Sequence, residues 1–343
     1  MSLLHAGPDA ALPVDEAVLT ALGVHRIEIP LPFVEGGGPA NVLAIEDQGG
    51  DLCLFDAGVA TEQGWAALSG GLADLGLSTK RLRRIVISHG HVDHYGNAQR
   101  LAEASGAQVL VHRDDLTKVL GQERWSLMLA QHRDFFLEEL GVPVPVLEEL
   151  IASTGSGARL ALPIDRERLT ILEGGERLDF ARFSAEVVHC PGHTPGLICL
   201  LVAQERILFA DDHVLAKVSP NPLLDFSQGA GETRFRALVS YLESARRIAA
   251  LDLDVVVPGH GPSFRNHRPL LEGLFAFYER RQGILLGRLR EGGPASVHAL
   301  LPAIFRRIDV GRLYLMLSEV LGNLEVLQAR GLVRRERGLW VSV

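Results

Sequence analysis

Cysteine is scarce: Cys53, Cys190 and Cys199 are the only three in 343 residues, each in or beside an apolar, strand-like run. Three are too few for a disulfide framework and suit reduced core thiols in a reducing compartment. Long hydrophobic runs are lacking too. No stretch approaches the roughly 18 apolar residues of a membrane span, and Met1 to Glu16 has neither a basic n-region nor an apolar h-region. The expectation is a cytoplasmic protein without membrane attachment. Positive charge is not in excess. The net charge of −8 gives no support to non-specific nucleic-acid binding by the whole molecule. Lysine is almost missing: Lys80, Lys118 and Lys217 are the only three of 34 basic residues, so arginine carries nearly all the positive charge.

What is present is a well-supplied core, with 47% apolar and 22% charged residues, so stability need not come mainly from metal. Five short apolar runs each lead straight into residues of metal-ligand type. They are Leu52–Phe55 into Asp56; Ile85–Ser88 into His89-Gly90-His91-Val92-Asp93-His94; Val187-Val188 into His189-Cys190-Pro191-Gly192-His193; Ile207–Ala210 into Asp211-Asp212; and Val255–Val257 into Pro258-Gly259-His260. Apolar runs of about four to eight residues suit buried strands, and polar residues just past strand ends converge on one edge of a sheet. Ligands spread over the sequence can therefore meet.

Helical spacing over Thr61 to Leu75, a helix near Asn97 to Ala104 and a strand at Val109–Val111 give an alternation that predicts a layered α/β domain. The segment around residues 115–165 breaks this alternation with two or three helices carrying Met128, Leu129, Phe135, Phe136 and Leu137. It reads either as an ordinary helical insertion or as a wall over a substrate pocket. Strands resume from Leu169 to Phe209, and Thr233 to Ala249 reads as helix. Past His260 the pattern changes to helices over Pro269–Leu289, Ala295–Phe305 and Arg312–Ala329, then a hairpin over Leu332–Val341. Three helices and a hairpin are the order of a winged helix. The expected division is a catalytic domain over 1–265 and a winged-helix-like domain over 266–343.

The density of His89-x-His91-x-Asp93-His94 is hard to explain without metal, because burying it unpaired would strand several polar groups. Imidazole and carboxylate donors suit zinc and related divalent ions. Taken with Leu54-Phe55-Asp56-Ala57-Gly58, Pro191-Gly192-His193-Thr194-Pro195-Gly196, Phe209-Ala210-Asp211-Asp212 and Pro258-Gly259-His260-Gly261-Pro262, the cluster resembles the metallo-β-lactamase superfamily. The likeness covers roughly residues 20 to 265, with all five motifs in order, and implies an αββα sandwich. It further implies two divalent ions, most simply zinc, with manganese or iron as alternatives. His89, His91 and His193 would hold one; Asp93, His94 and His260 the other; Asp212 would bridge them.

In that resemblance a hydroxide between the ions is the nucleophile, Asp93 is both ligand and catalytic carboxylate, and Asp56 orients from behind. Relatives of this kind place Gly where this chain has Asp211, so Asp211 competes with Asp212 for the bridging role; Asp212 is assigned it. His189 reads as structural or supporting, His213 as a loop residue or a substrate contact, and Tyr95 as pocket lining or packing. The other histidines, His112 and His132 among them, carry no companion signal.

An acidic bridge makes the chain resemble glyoxalase-II-type thioesterases, lactonases and nucleases more than true β-lactamases. The appended helices and hairpin resemble the β-lactamase-like 2 subgroup. The first expectation is a hydrolase of small-molecule esters, thioesters or lactones. The second is a metal-dependent endoribonuclease or phosphodiesterase; a redox protein on the same scaffold is the third. The segment from Gly283 to Val343 holds nine Arg and five acidic residues, and Arg312, Arg330, Arg334, Arg335 and Arg337 could meet phosphates. The third helix is nonetheless so apolar that packing against the enzyme domain, a lid role or a homodimer contact is the favoured use.

Overall fold

Leu52-Cys53-Leu54-Phe55 contains no polar residue because both faces of that strand are covered. Leu52 and Leu54 pack with Leu68, Leu72 and Leu101 on the outer side, while Cys53 and Phe55 pack inward against a second sheet through Phe209 and Val257. The computed structural model describes residues 11–33, 38–121, 125–153, 160–229 and 234–343, with only the backbone described at 125–127 and 153. Residues 1–10, part of the N-terminal reading, and Thr233 lie outside these.

Two mixed sheets face each other. The chain starts with the short β1 (Leu12–Pro13) and then builds the first sheet in sequence order: β2 (Val24–Ile29), β3 (Ala40–Glu46), β4 (Leu52–Phe55), β5 (Leu82–Val86), β6 (Gln108–His112) and β7 (Leu169–Leu172). β3 pairs antiparallel with both β2 and β4; the β4–β5, β5–β6 and β6–β7 pairs are parallel. The second sheet draws on β8 (Arg177–Asp179), β9 (Ser184–His189), β10 (Ile198–Val202), β11 (Ile207–Asp211), β12 (Val255–Pro258) and β13 (Phe264–Arg265), in the spatial order β1-β13-β12-β11-β10-β9-β8. Only β11 and β12 pair in parallel there.

After α1 (Ala17–Ala21), the outer face of the first sheet is covered by α2 (Glu62–Asp74) and α4 (Ala98–Ser105), with the single turn α3 (Val92–Tyr95) between them. α2 starts at Thr61, whose hydroxyl accepts the Gly64 amide at 2.9 Å. The insertion is helical, with α5 (Leu116–Val119), α6 (Trp125–Gln131), a π turn over Phe135–Glu139, and α7 (Val144–Ser153). α8 (Ala237–Ala249) and the first half of α9 (His267–Gly292) cover the second sheet through Tyr241, Leu242, Leu270, Leu274 and Tyr278. The result is the helix–sheet–sheet–helix layering that the family resemblance implies, within the layered α/β class that the sequence pattern predicts.

The last 50 residues form α10 (Val297–Ile304), α11 (Leu313–Ala329) and the hairpin β14 (Val333–Glu336)–β15 (Leu339–Ser342). Their apolar cluster is shared with the insertion. Leu129, Phe136, Leu140 and Leu147 pack into one core with Leu285, Leu301, Leu317, Leu324 and Trp340. α11 is apolar nearly all round because it is enclosed by α8, α9 and α10. Gly322 permits the closest approach: a Cβ there would stand 2.8 Å from the Leu238 Cβ on α8.

Candidate metal centre

The parallel strands β4, β5 and β6 end on the same edge, and the ends of β9, β11 and β12 face them from the second sheet. Asp56 follows β4 in a left-handed conformation (φ 67°), and its amide donates to Val86 O at 2.8 Å. This turn points its carboxylate under the loop that follows β5. There it accepts from the Ser88 amide (2.7 Å) and the Ser88 hydroxyl (2.8 Å) and meets His94 Nδ1 at 2.8 Å. The next residues wind into α3, a turn the sequence reading does not resolve, which sets Asp93 and His94 side by side.

All the sequence-predicted ligands come together. His89 Nε2 and His91 Nδ1 are 2.9 Å apart, and both rings lie against His193, with centroids at 4.8 and 4.5 Å. On the other side, Asp93 Oδ2 is 3.7 Å from His94 Nε2 and 3.6 Å from His260 Nε2. Asp212 spans the two groups. Its Oδ2 is 3.3 Å from His193 Nε2 and 3.7 Å from His94 Nε2, while Oδ1 is 3.4 Å from His260 Nε2. Two donors held tetrahedrally by one zinc at about 2.0–2.2 Å stand roughly 3.3–3.6 Å apart, so the His–Asp separations of 3.3 to 3.7 Å lie close to those of donors sharing a cation, while His89 and His91, at 2.9 Å, stand at hydrogen-bond distance.

The buried polar atoms agree. His94 Nε2, His193 Nε2, His260 Nε2 and Asp212 Oδ1 are buried with no hydrogen-bond partner among the described residues. Unpaired polar atoms are costly in a folded interior, and four converging here match a donor set for metal.

The opposite nitrogens are anchored. His89 Nδ1 contacts the Ser88 hydroxyl at 2.9 Å, His260 Nδ1 lies 3.1 Å from Pro39 O, and His193 Nδ1 reaches Pro220 O. Such partners fix ring orientation and leave the facing nitrogen as donor. Asp211 lies behind the cluster rather than in it. Its Oδ1 is 3.2 Å from His89 Nδ1 and 3.3 Å from His94 Nδ1, on the same side as Asp56. The residue sits at φ 47°, which explains why glycine suits this position, and it follows a register shift in the β11–β12 ladder. Gly259 leaves room for both carboxylates, since a Cβ there would meet Asp212 Oδ1 at 2.3 Å.

These charges set one another's protonation. Burial and the neighbouring Asp211 charge push the Asp56 carboxyl well above its ordinary range. Burial works the same way on Asp211 and Asp212, but His94 and His89 beside the first, and His260 and His94 beside the second, hold both well below it. His260 loses basicity to burial yet is carried up to about 9 by Asp212.

The remaining candidates sort geometrically. His189 stacks on His112 (3.8 Å, 19°) with Nε2 against Pro195 O at 2.8 Å. Burial drives His213 down to about 3; it lies against Tyr241 and does not line the cavity above the metal ligands. Tyr95 does line it, donating to Lys118 O at 3.2 Å. Sequence reasoning missed three participants: His132 and Lys118, which line the same cavity, and Asp115, which ties two ligand loops together. None stands in a motif. Lys118 alone carried a signal, as one of three lysines.

A His/Asp centre at the strand ends of a four-layer α/β sandwich defines a metal-dependent hydrolase class. Residues 36–260 match the Metallo-beta-lactamase superfamily, and the chain belongs to it. It is 29% identical over 315 residues to the probable metallo-hydrolase YqjP of Bacillus subtilis, covering 91% of this chain and 94% of that one. The hydroxyacylglutathione hydrolase GloC of Haemophilus influenzae is 27% identical over 52% of this chain and 69% of its own length. Among solved structures, a metallo-beta-lactamase family protein of Thermus thermophilus superposes with a TM-score of 0.74 at 26% identity, covering 94% of this chain and 99% of that one. A beta-lactamase domain protein of Burkholderia ambifaria shares the fold, with a TM-score of 0.78 at 22% identity over 100% of this chain and 96% of that one. The protein is thus a hydrolase of this superfamily with divalent-metal ligand clusters.

Proposed function

We propose that the protein hydrolyses small-molecule esters, thioesters or lactones at a dinuclear centre. One ion would be held by His89, His91 and His193, the other by Asp93, His94 and His260, with Asp212 between them. The observation that carries this reading is the position of Asp212, whose two oxygens face the two three-residue groups. When bound, two divalent cations lower the pKa of a water between them and polarise the scissile carbonyl. The side chains hold the donors in place. Asp56 fixes the His94 ring through Nδ1, and Asp211 flanks His89 and His94 from behind. Asp93 lines the cavity beside His94 and His260, so a carboxylate of the second ligand group also faces the space open to substrate. Zinc suits the mixed imidazole–carboxylate set, and manganese or iron can use the same ligands.

A second reading, a metal-dependent endoribonuclease or phosphodiesterase, draws on Arg312, Arg330, Arg334 and Arg337, which are exposed. Against it, Arg335 is paired with Glu139, Arg334 with Glu336, and the apolar α11 is buried. In organisation we read 1–265 as the catalytic unit and 266–343 as a winged-helix-like module that packs on it. No helix of the described residues is long and apolar enough to cross a membrane. Three buried free thiols suit a reducing cytoplasm.

A hydrolysis panel on metal-replete protein tests the reading: acyl-glutathione and acyl-CoA thioesters, lactones, aryl esters, phosphodiesters and single-stranded RNA. Turnover of the acyl substrates, lost together with bound metal in His91→Ala and Asp212→Ala, is the expected result. Cleavage confined to RNA or phosphodiesters would select the second reading, and full activity without metal would remove the site assignment.

A further inference from the structure

Above the ligands lies a cavity of about 390 Å³, within the size range of small-ligand sites. Its floor is His91, Asp93, His193 and Asp212; its upper walls come from three separate parts of the chain. The insertion supplies Met128 and His132, the loop after β11 supplies Leu223, Leu224 and Phe226, and α11 supplies Tyr314 and Leu315. The walls are fixed. Phe226 is stacked on His132 (4.0 Å, 11°) and set edge-on to Phe135 (5.2 Å). The Tyr314 hydroxyl donates to Leu224 O at 2.5 Å, and the Leu224 amide donates to Ser318 Oγ at 3.0 Å.

Charge away from the floor is cancelled. Lys118 is the one lysine lining the cavity among the described residues, and its Nζ lies 2.6 Å from Asp225, both side chains 10% exposed. No arginine lines it among the described residues. Among the described residues a phosphate-bearing chain would find no unpaired lysine or arginine there, whereas an apolar chain would find aliphatic and aromatic surface leading away from the ligands.

We propose that this cavity binds the apolar acyl or aryl portion of the substrate, so that the enzyme selects medium-chain acyl thioesters and esters over short polar ones. The inference rests on the acyl-hydrolase reading for its chemistry, but the apolar site can be tested without turnover. Each methylene leaving water adds about fourfold in affinity, until the apolar part of the cavity is filled.

Two measurements test it on the full-length protein. In the first, kcat/KM is measured on metal-replete enzyme for acetyl, butyryl, hexanoyl, octanoyl and lauroyl thioesters of one thiol. The expected result is a rise of about fourfold per methylene to an optimum at intermediate length. Leu315→Trp should cut the octanoyl-to-acetyl ratio at least about tenfold, while Leu315→Ala moves the optimum to longer chains. Melting temperature and metal content confirm that each variant is folded.

In the second, Nile red is bound and displaced by butanol, hexanol and octanol. Displacement should strengthen with chain length in the wild type and weaken in Leu315→Trp. Acyl turnover that is flat or falling with chain length would overturn the proposal, as would Nile red that does not bind. If no acyl substrate is turned over but octanol still displaces Nile red, the acyl-hydrolase reading falls and the apolar-ligand site stands.

Discussion

At the scale of single residues, geometry around the centre depends on groups that never face it. Asp115 is fully buried. Its Oδ2 accepts from the Gly90 amide and the Thr194 hydroxyl, both at 2.7 Å, and Oδ1 accepts from the Gly196 amide at 3.0 Å. One carboxylate therefore pins the loop carrying His89 and His91 to the loop carrying His193. Asp115→Ala strands two buried amides and a hydroxyl, each costing about 1–3 kcal/mol. A loss of roughly 3–5 kcal/mol in urea unfolding is expected, with reduced metal content at saturating zinc. Asp115→Asn keeps one acceptor and should recover part of both; wild-type stability in Asp115→Ala would refute the role. The candidate ligands were legible because four donor residues fall within six positions, a density that solvated turns seldom reach. Asp115 was not: Arg113-Asp114-Asp115 reads as a polar turn, and its partners are mostly backbone amides that no sequence pattern marks.

At the scale of elements, α11 is held to the segment before α8 by a buried ion pair. Arg234 and Glu325 have side chains only 4% and 8% exposed, and Arg234 Nη2 bonds directly to Glu325 Oε1. Burial raises the Glu325 carboxyl above its usual 4.5, only partly offset by the Arg234 charge. A carboxyl whose folded pKa exceeds its unfolded value takes up more protons when folded, so stability falls as pH rises between the two values. Against Glu325→Gln, the wild type should therefore lose relative stability as pH climbs from about 4.5 through the raised value, and level off above it. Urea unfolding of both proteins across this range measures the difference, and wild-type stability that rises relative to Glu325→Gln with pH would contradict the raised carboxyl. The contact itself could not be read from sequence. The helices of the C-terminal segment were legible to within about two or three residues, because apolar spacing marks them; which neighbour each one covers depends on tertiary packing.

At the scale of the molecule, the insertion and the C-terminal segment are two halves of one core. Phe136, Leu140 and Leu147 from the insertion are fully buried, and they are covered by Leu285 and Leu289 of α9, by Leu300 and Leu301 of α10, and by Leu317 and Leu324 of α11. α9 also covers the second sheet with Leu270, Leu271, Leu274 and Tyr278 before it reaches this cluster. In the sequence, the change of composition and element type after His260 marks a second module, and its apolar third helix marks one expected to pack on the first. Separability requires each part to bury its own apolar face, and here neither part does. A chain ended after Arg265 would expose the insertion's buried leucines and Phe136 along with the apolar surface that α9 covers beside α8 on the second sheet, more contiguous apolar area than soluble monomers ordinarily carry. Burying one such side chain contributes about 1.5–3 kcal/mol, so losing cover from this many exceeds the net stability of an ordinary domain. The truncated chain should therefore aggregate, or elute as large species with strong Nile red fluorescence on size exclusion. A monodisperse monomer with the full chain's melting temperature would show instead that the first 265 residues fold alone. The same shared core explains why the cavity walls come from both segments: the surface that completes the fold also closes the space above the metal ligands.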